Sequence, residues 1–579
     1  MIVPRPVSRS HALFLLLRVL LALLPASSGY LHPDEHFQTV EPVLGRLLGL
    51  FAPTHWEWTG DSPIRSPTVP LILYTLPMWL LTSINNTLHL CLGINIIGPL
   101  LLQLLPRVIL LLLSFSTDLA VLHLSRLHRL DSRLCLELAA SSHVLLVYGL
   151  RTLSNSVELA MFSLLLLLST HDKTSSWPRV LGLLLVLATF SRPTFLVFAA
   201  WPLVRWLFRG SSSIEQFKRA MAQKLVPMLS AIVVTAVLLV ITDSIYYGPL
   251  TVTNLLTLDF KISDLKVTPW NFISFNRQSS NIAVFGAEPW HSHLLTSLPL
   301  LLGPLAPLLV KPVITYLSPW RSPVCHHILV LAFLLPLLAL SLVSHQEPRF
   351  LLPLLPLAIL NTATTIGQSR SLLGLWHVFN LLATLLLGFL NHSGVRHIQA
   401  AISSLPHSHC PGVDMIHAHV WAPPQLPLLC SPGLTSAPHV RTNCTGYGGA
   451  IWPYGLPLTQ TALHEKVVVH ACRREESSRA LETLLVVPGH MVAGLRRLDS
   501  RVTYHEVASY WPSLAPESLV TEDMADISLS PSFLIRTVTS LLAGGGQGLQ
   551  EGWCTLALLR VHCGQEEGRN IIGDGLKPN

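Results

Sequence analysis

The sequence predicts an all-α polytopic membrane protein of about eleven transmembrane helices, followed by a lumenal C-terminal region of mixed secondary structure. Two observations carry this. Half of the 579 residues are hydrophobic and only 12% are charged. A soluble domain carries about 25% charged residues, so polar surface is too scarce here to cover a water-facing globule. The Leu-rich runs also stop near residue 390, where Pro, His, Ser and Cys take over and charge returns to ordinary density. The expected organisation is a multi-helix membrane domain over 1–390 and a lumenal region over 391–579.

A helix needs roughly 20 apolar residues to cross the hydrocarbon core. Runs that reach or approach this lie at about 11–28, 100–122, 134–150, 157–170, 179–191, 195–208, 225–245, 293–311, 324–343, 350–366 and 372–390. The first ends in "LPASSG", which has the small residues of a signal-peptide cleavage site, but it is long for that role and Arg18 interrupts it. It reads as a retained helix. The run 71–97 is broken by Asn85, Asn86, Asn95 and Gly98 and reads as an interfacial helix or a re-entrant pair.

Lys and Arg near helix ends stay cytosolic. With Arg5 and Arg9 inside, alternate crossings gather Arg126, Arg129, Arg133, Lys173, Arg179, Arg205, Arg209, Lys218, Arg219, Lys224, Lys311, Arg321 and Arg370 on one side. Most acids fall opposite: Asp34, Glu35, Glu41, Glu57, Asp61, Asp243, Asp259, Asp264, Glu288 and Glu347. The N-terminus is therefore expected in the cytosol and the tail outside it. The sequons at Asn85 and Asn443 fall on the outer side as glycosylation candidates, and so does the one at Asn391 beside a helix end. The net charge of +7 is scattered between apolar runs without a basic stripe, which argues against nucleic acid. Nine cysteines include no CxxC pair or zinc spacing, and Cys410, Cys430, Cys444, Cys472, Cys554 and Cys563 crowd the last third, as disulfides of a lumenal region would.

On this topology the unusual polar clusters share the outer face: "HPDEHFQ" (His32 to Gln38), "RTLSNSVE" (Arg151 to Glu158), "FSRPTF", "DSIYYGPL", "NFISFN" and "SHQEPRF" (Ser344 to Phe350). Charge at a membrane centre costs about 2.5–3.5 kcal/mol, so such groups face a partner or a site. Two carboxylates with no further acidic loop of that kind make a poor magnesium or calcium cage. His32 and His36 would share a helical face, but Pro33 makes this a loop or helix start and weakens a zinc reading. One positioned carboxylate suffices for a general base, and Arg151, Arg192 and Arg349 are fork-shaped cations suited to phosphate. The combination points to a lipid phosphate as leaving group and a hydroxyl as nucleophile.

The ordered motifs "HPDEHFQ", "PRVILLLLSFSTDLAVLHL", "RTLSNSVE", "SRPTFL", "DSIYYG", "TPWNFISFN" and "SHQEPRFLLPLLP" strongly resemble the endoplasmic-reticulum mannosyltransferases that use dolichyl-phosphate mannose, over roughly residues 10–400. The resemblance implies a C-type glycosyltransferase-like fold, a lipid-linked donor, a glycolipid acceptor, and no cofactor or obligatory metal. The spelling "HPDEHFQ" is most similar to the branch that adds a fourth mannose to the glycosylphosphatidylinositol (GPI) precursor, so a GPI glycolipid is the implied acceptor. Sister enzymes for the third GPI mannose or the N-glycan precursor are the alternatives. Carried over, Asp34 is the general base, and Glu35 holds the loop, orients the acceptor or shares that role. His345 and Arg349 contact the donor phosphate, and His32, Arg151, Asn155 and Arg192 complete the substrate-binding set. Gln346 stands where the family has Lys, so one phosphate-facing cation is missing.

Other polar groups have plainer readings. Arg107 and Asp118, about three turns apart, read as interior hydrogen-bonding anchors. Tyr246, Tyr247 and Trp290 read as interfacial belt residues, and Asp243 as a loop-fixing group. The tail histidines His407, His409, His417 and His419 read as scattered loop residues. A lipid transporter or scramblase would hold its polar groups near the midplane in repeats, and none is found. For a non-catalytic membrane subunit the Asp34-Glu35 pair would be dispensable.

Overall fold

The computed structural model describes residues 8–24, 29–48, 55–94, 96–170, 177–209, 214–284, 286–317 and 324–404. Of the C-terminal region it describes 413–417, 440–444, 464, 482–498, 502–511, 513 and 555–563. The chain forms two compact units, Met1–Phe389 and Leu390–Asn579.

The first unit is helical. After α1 (Arg9–Leu23) come α2 (Glu41–Leu48), α3 (Thr68–Leu92), α4 (Pro99–Leu127) and the pair α5 (Ser132–Ser141) and α6 (His143–Leu150), bent by 52°. Then follow α7 (Ser154–Thr170), α8 (Trp177–Ser191), α9 (Phe195–Phe208), α10 (Ile214–Tyr247) and α11 (Thr268–Asn276). A second pair, α12 (His293–Leu302) and α13 (Leu305–Thr315), bends by 118°, and α14 (Val324–Ser341), α15 (Pro348–Ile366) and α16 (Arg370–Leu390) complete the unit.

Each predicted apolar run is largely helical over its described residues, but fewer helices than the expected eleven or so have the length and composition of a span. Among the described residues five helices are long and apolar enough to cross a membrane, or seven if each bent pair counts as one span. The remaining apolar helices are shorter: the 15 residues of α1 or α8 extend about 22 Å at 1.5 Å per residue, against a core of about 30 Å. The run 71–97 is also corrected. Thr68–Leu92 is a 25-residue candidate span with a π-turn at Leu71–Thr75. It ends where Gly93 takes the left-handed conformation (φ 68°) and its N–H bonds the His89 carbonyl.

Several polar residues inside these helices are paired. Arg18 is fully buried and grips Asp118 of α4 at two points, Nη1–Oδ2 2.6 Å and Nη2–Oδ1 3.2 Å, with Nη1 also donating to Ser114. The partner of Asp118 thus comes from α1, while Arg107 is buried within electrostatic reach of Arg151 and Glu35. At the α5–α6 bend the His143 N–H donates to Asn380 Oδ1 of α16 (2.8 Å), and Trp376 Nε1 donates to Ser141 Oγ (2.9 Å). The bend therefore leaves that N–H satisfied, as an apolar interior requires. Leu138, Phe162, Phe198, Ala358 and Trp376 form part of one continuous core. Gly182 lets α8 press against α10, where a Cβ would meet the Met228 carbonyl at 2.5 Å.

The second unit is mixed, with α17 (Gly394–Ser404), α18 (Gly489–Leu498) and a five-stranded sheet. Its strands are β1 (Val413–His417), β2 (Val440–Cys444), β3 (Glu482–Pro488), β4 (Val502–Tyr510) and β5 (Leu556–Cys563), in the order β2-β1-β3-β5-β4. β2, β1 and β3 run parallel, and β5 pairs antiparallel with β3 and β4. Central β3 reads "ETLLVVP", and Leu484 to Val487 are all buried, as expected of a strand covered on both faces. Cys410, Cys430, Cys472 and Cys554, and His407, His409 and His419, lie outside the described residues.

Candidate active site

The segment after α1 sends its two adjacent carboxylates in opposite directions. Pro33 opens a helical turn in which His36 and Phe37 donate their N–H groups to its carbonyl, at 2.9 and 3.1 Å. Proline suits a first helical position, where an N–H would find no partner. The His32 ring accepts the Asp34 N–H through Nδ1 (3.1 Å), the service an Asn or Ser side chain gives at an N-cap. Glu35 folds back: its Oε1 accepts the Leu31 N–H at 2.5 Å, and its carbonyl accepts the hydroxyls of Thr39 and Thr152. A π-turn at His36–Val40 then leads into α2. Glu35 is 2% exposed, whereas the Asp34 side chain is 15% exposed.

Asp34 meets the other end of the unit. Arg349, at the start of α15, places Nη1 2.7 Å from Asp34 Oδ2. The same guanidinium binds Glu347 at two points, Nε with Oε2 and Nη2 with Oε1. Glu347 Oε1 lies 3.0 Å from His345 Nε2, and His32 Nε2 is 3.5 Å from Arg349 Nη2. Five side chains from residues 32–34 and 345–349 thus form one cluster. Its acids and histidines are 15–22% exposed, and the arginine is 8% exposed. Burial pushes the Asp34 carboxyl up, but Arg349 and then His32 outweigh it and hold the group well below the usual carboxylate range. Glu347 is likewise raised by burial and lowered further by Arg349 and His345, ending below its ordinary value. Both acids are anions at neutral pH.

Behind this open edge stands a buried polar wall. Arg151 donates to the Gly29 carbonyl and lies 3.9 Å from Glu35 Oε2, 4% exposed. Arg192 donates to Ser154 Oγ (2.9 Å), lies 3.4 Å from Glu158 Oε2 and stacks over the Phe350 ring. Asn155 is fully buried at the start of α7. These three residues, expected to meet substrate, are therefore engaged or enclosed within the protein: Arg151 by the Gly29 carbonyl after α1, Arg192 by Ser154 and Glu158 of α7, and Asn155 by burial. Gln346 is also turned inward: it accepts the His293 N–H and donates to the carbonyls of Ser341 and Val343. Its polar atoms fix the loop before Glu347.

Some members of the wall carried no role in the sequence reading. Arg65 Nη2 donates to Glu57 Oε1 (2.7 Å), which also accepts from Gln38 (3.3 Å). Burial raises the Glu57 carboxyl, but Arg65 and His55 bring it below its ordinary value. Asp243 is fully buried and accepts the hydroxyls of Ser66, Thr68 and Thr268, while Tyr247 donates to the Arg65 carbonyl. Asp243 thus fixes a loop, and Tyr247 is a tether rather than a belt residue. The signal for Glu57 and Arg65 was present: an acid and a base eight residues apart in "WEWTGDSPIRS", punctuated by Pro and Gly.

Comparison with known proteins gives the chain a family. Residues 11–413 match the model of the Alg9-like mannosyltransferase family. The chain belongs to that family. Among its relatives, "GPI alpha-1,2-mannosyltransferase 4" of Homo sapiens is 32% identical over 72% of this chain and 75% of its own. "GPI mannosyltransferase 4" of Drosophila melanogaster is 28% identical over 87% of this chain and 86% of its own, and that of Aspergillus oryzae is 32% identical over 69% and 71%. Among solved structures, ArnT from Cupriavidus metallidurans bound to undecaprenyl phosphate is 11% identical and covers 86% of this chain and 96% of its own, at a TM-score of 0.46 that is too low to bear on the fold.

This Alg9-like chain is a mannosyltransferase and a multi-pass membrane protein. The open edge presents an ionised carboxylate beside a guanidinium. Among the described residues no three His, Cys, Asp or Glu side chains converge as a metal site. Asn85 is corrected as a glycosylation candidate: it is buried within α3, and its Oδ1 accepts the N–H groups of Ile96 and Ile97. Asn443 lies on β2, and Thr445 of its sequon is outside the described residues.

Proposed function

We propose that this mannosyltransferase transfers mannose from dolichyl-phosphate mannose to the 2-hydroxyl of the third mannose of a GPI precursor, giving an α1,2-linked fourth mannose. The names of the relatives, GPI mannosyltransferase 4 and GPI alpha-1,2-mannosyltransferase 4, support the acceptor. The segregation of acids from Lys and Arg supports an endoplasmic-reticulum topology with the N-terminus cytosolic and the site and C-terminal region lumenal. The observation that carries the mechanism is the 2.7 Å approach of Asp34 to Arg349 across 315 positions of chain, at a partly exposed edge.

In this reading the acceptor hydroxyl gives its proton to Asp34 as its oxygen bonds to the anomeric carbon of the donor. The bond from that carbon to the phosphate oxygen breaks, its electron pair stays on the phosphate, and Arg349 meets the added charge. One displacement converts the β-linked donor into an α-linked product. Phosphate leaves without a general acid, so the protein contributes orientation, a base and a cation. His32 and His345 flank the pair toward the substrates, while Glu35, Arg151, Asn155 and Arg192 shape the wall. No metal is required in this scheme, so excess EDTA should leave microsomal activity within twofold. A reversible loss restored by magnesium or manganese would place a metal in the reaction.

The acceptor is tested in cells whose GPI precursors stop at three mannoses, read by mass spectrometry. Wild type should produce the four-mannose species, and Asp34→Asn at equal abundance should leave the three-mannose one. If wild type adds nothing, the fourth-mannose reading is wrong and the N-glycan precursor becomes the substrate to examine.

A further inference from the structure

We propose that Arg349 is a shared cation for which Asp34 and the lipid phosphate compete, with Glu347 as the positioning residue that keeps the guanidinium within reach of both. This rests on the roles of Asp34 and Arg349 given above and deepens them. It makes release of the base a consequence of donor binding.

The contacts around Arg349 are unequal. Guanidinium offers five N–H donors in a planar fork. Glu347 takes the Nε and Nη2 edge with both of its oxygens, the two-point geometry that holds an arginine most firmly. Asp34 meets it through a single close approach at Nη1, 2.7 Å. An incoming phosphate therefore displaces Asp34 more readily than Glu347. The His345 ring, 3.0 Å from Glu347 Oε1, braces the carboxylate that stays, and Gln346 fixes the intervening backbone. Asp34 sits on a turn whose start is capped by His32, and its side chain faces solvent enough to swing toward a hydroxyl.

The chemistry makes the exchange useful. A carboxylate pinned against a guanidinium is stabilised as the anion and is a correspondingly weak base. A phosphate oxygen presents the same acceptor geometry and charge to the same N–H groups. When it takes Nη1, Asp34 loses the cation that weakened it, just when a leaving group is in place. Proton removal from the acceptor is thereby tied to the presence of donor. No covalent step beyond the transfer is needed.

The test is the affinity of the detergent-purified full chain for a short-chain polyprenyl monophosphate. Asp34→Asn keeps the side-chain volume, removes the competitor and should tighten binding about tenfold, although it abolishes transfer; Asp34→Ser should tighten it as well. In an Arg349→Gln background the same substitution should change nothing. Glu347→Gln should not tighten binding. Equal or weaker binding by both Asp34 variants overturns the proposal. So does equal tightening with and without Arg349, which would indicate through-space repulsion alone, or tightening by Glu347→Gln alone, which would make the wrong carboxylate the one that yields. If neither wild type nor any variant binds the probe, the phosphate reading itself fails and the exchange falls with it.

Discussion

Two aspartate–arginine pairs link distant parts of this chain at almost the same distance, 2.6 Å for Arg18 with Asp118 and 2.7 Å for Arg349 with Asp34. The first is closed. Arg18 is fully buried, Asp118 holds it with both oxygens, and one cation faces one anion inside an apolar helix pair. The second is open. One cation serves two anions, its acids are partly exposed, and two histidines flank it. Ion-pair distance therefore says little about function. Access and unequal charge count distinguish a pair that fastens helices from one that can change partners.

The comparison is broken most sharply by removing each acid's charge. Asp34→Asn should lower transfer by about 10³-fold, within the range a general base supplies, while the protein accumulates normally and its melting temperature changes little. Asp118→Asn should do the reverse. It leaves Arg18 buried beside a neutral amide, at a cost of about 3 kcal/mol, so abundance and melting temperature fall while transfer per folded molecule persists. These are read from thermal melts in detergent and from activity normalised to folded protein. If Asp34→Asn instead unfolds the chain and Asp118→Asn abolishes turnover in a stable protein, the two regions have been assigned the wrong way round.

A finer version of the same contrast lies within one dipeptide. Glu35 is turned inward, where it accepts the Leu31 N–H and faces Arg151. Glu35→Gln should therefore destabilise the segment by about 2 kcal/mol through a weakened buried bond and slow transfer about tenfold by loosening the turn that carries Asp34. The loss should be much smaller than at Asp34. Equal losses at both positions would mean that the base role is shared.

Much of this was legible in the sequence, for a local reason. Helices follow from contiguous apolar runs, and those runs are largely helical over their described residues. Their lengths were less legible, because breaks at Ser142 and Gly303 divide the runs 134–150 and 293–311 that hydropathy alone joins. Asp34 was readable because Pro33 and the flanking histidines mark a helix start. The inward turn of Glu35 was not, since it depends on which way one short turn folds. Arg151 and Arg192 were read as phosphate cations from residue type, but the Gly29 carbonyl and Glu158 engage them through folding that brings positions more than thirty apart together. Glu347 was noted only as a lumenal acid, although it governs where Arg349 points.

The smallest expected effect is a difference between two pH profiles, and it tests the open pair alone. The charged and titratable groups near Asp34 are Arg349, His32, Arg65, Arg192 and Glu57. Burial raises its carboxyl, yet Arg349 and His32 leave it well below the usual range. A depressed carboxylate adds stability that is present above its unfolded value, about 3.9, and lost as pH falls through its folded value. The small stability advantage of wild type over Asp34→Asn should therefore disappear only at pH below about 4. Catalysis splits in the same direction. The ratio kcat/KM for donor reports the free enzyme and kcat the substrate complex. With Arg349 turned to phosphate, Asp34 loses the cation that depresses it, so the acid limb of kcat should lie at higher pH than that of kcat/KM. Measured from about pH 2 to pH 7, superimposed limbs would mean that Arg349 keeps its hold on Asp34 throughout turnover, and the open pair would then be as fixed as the closed one.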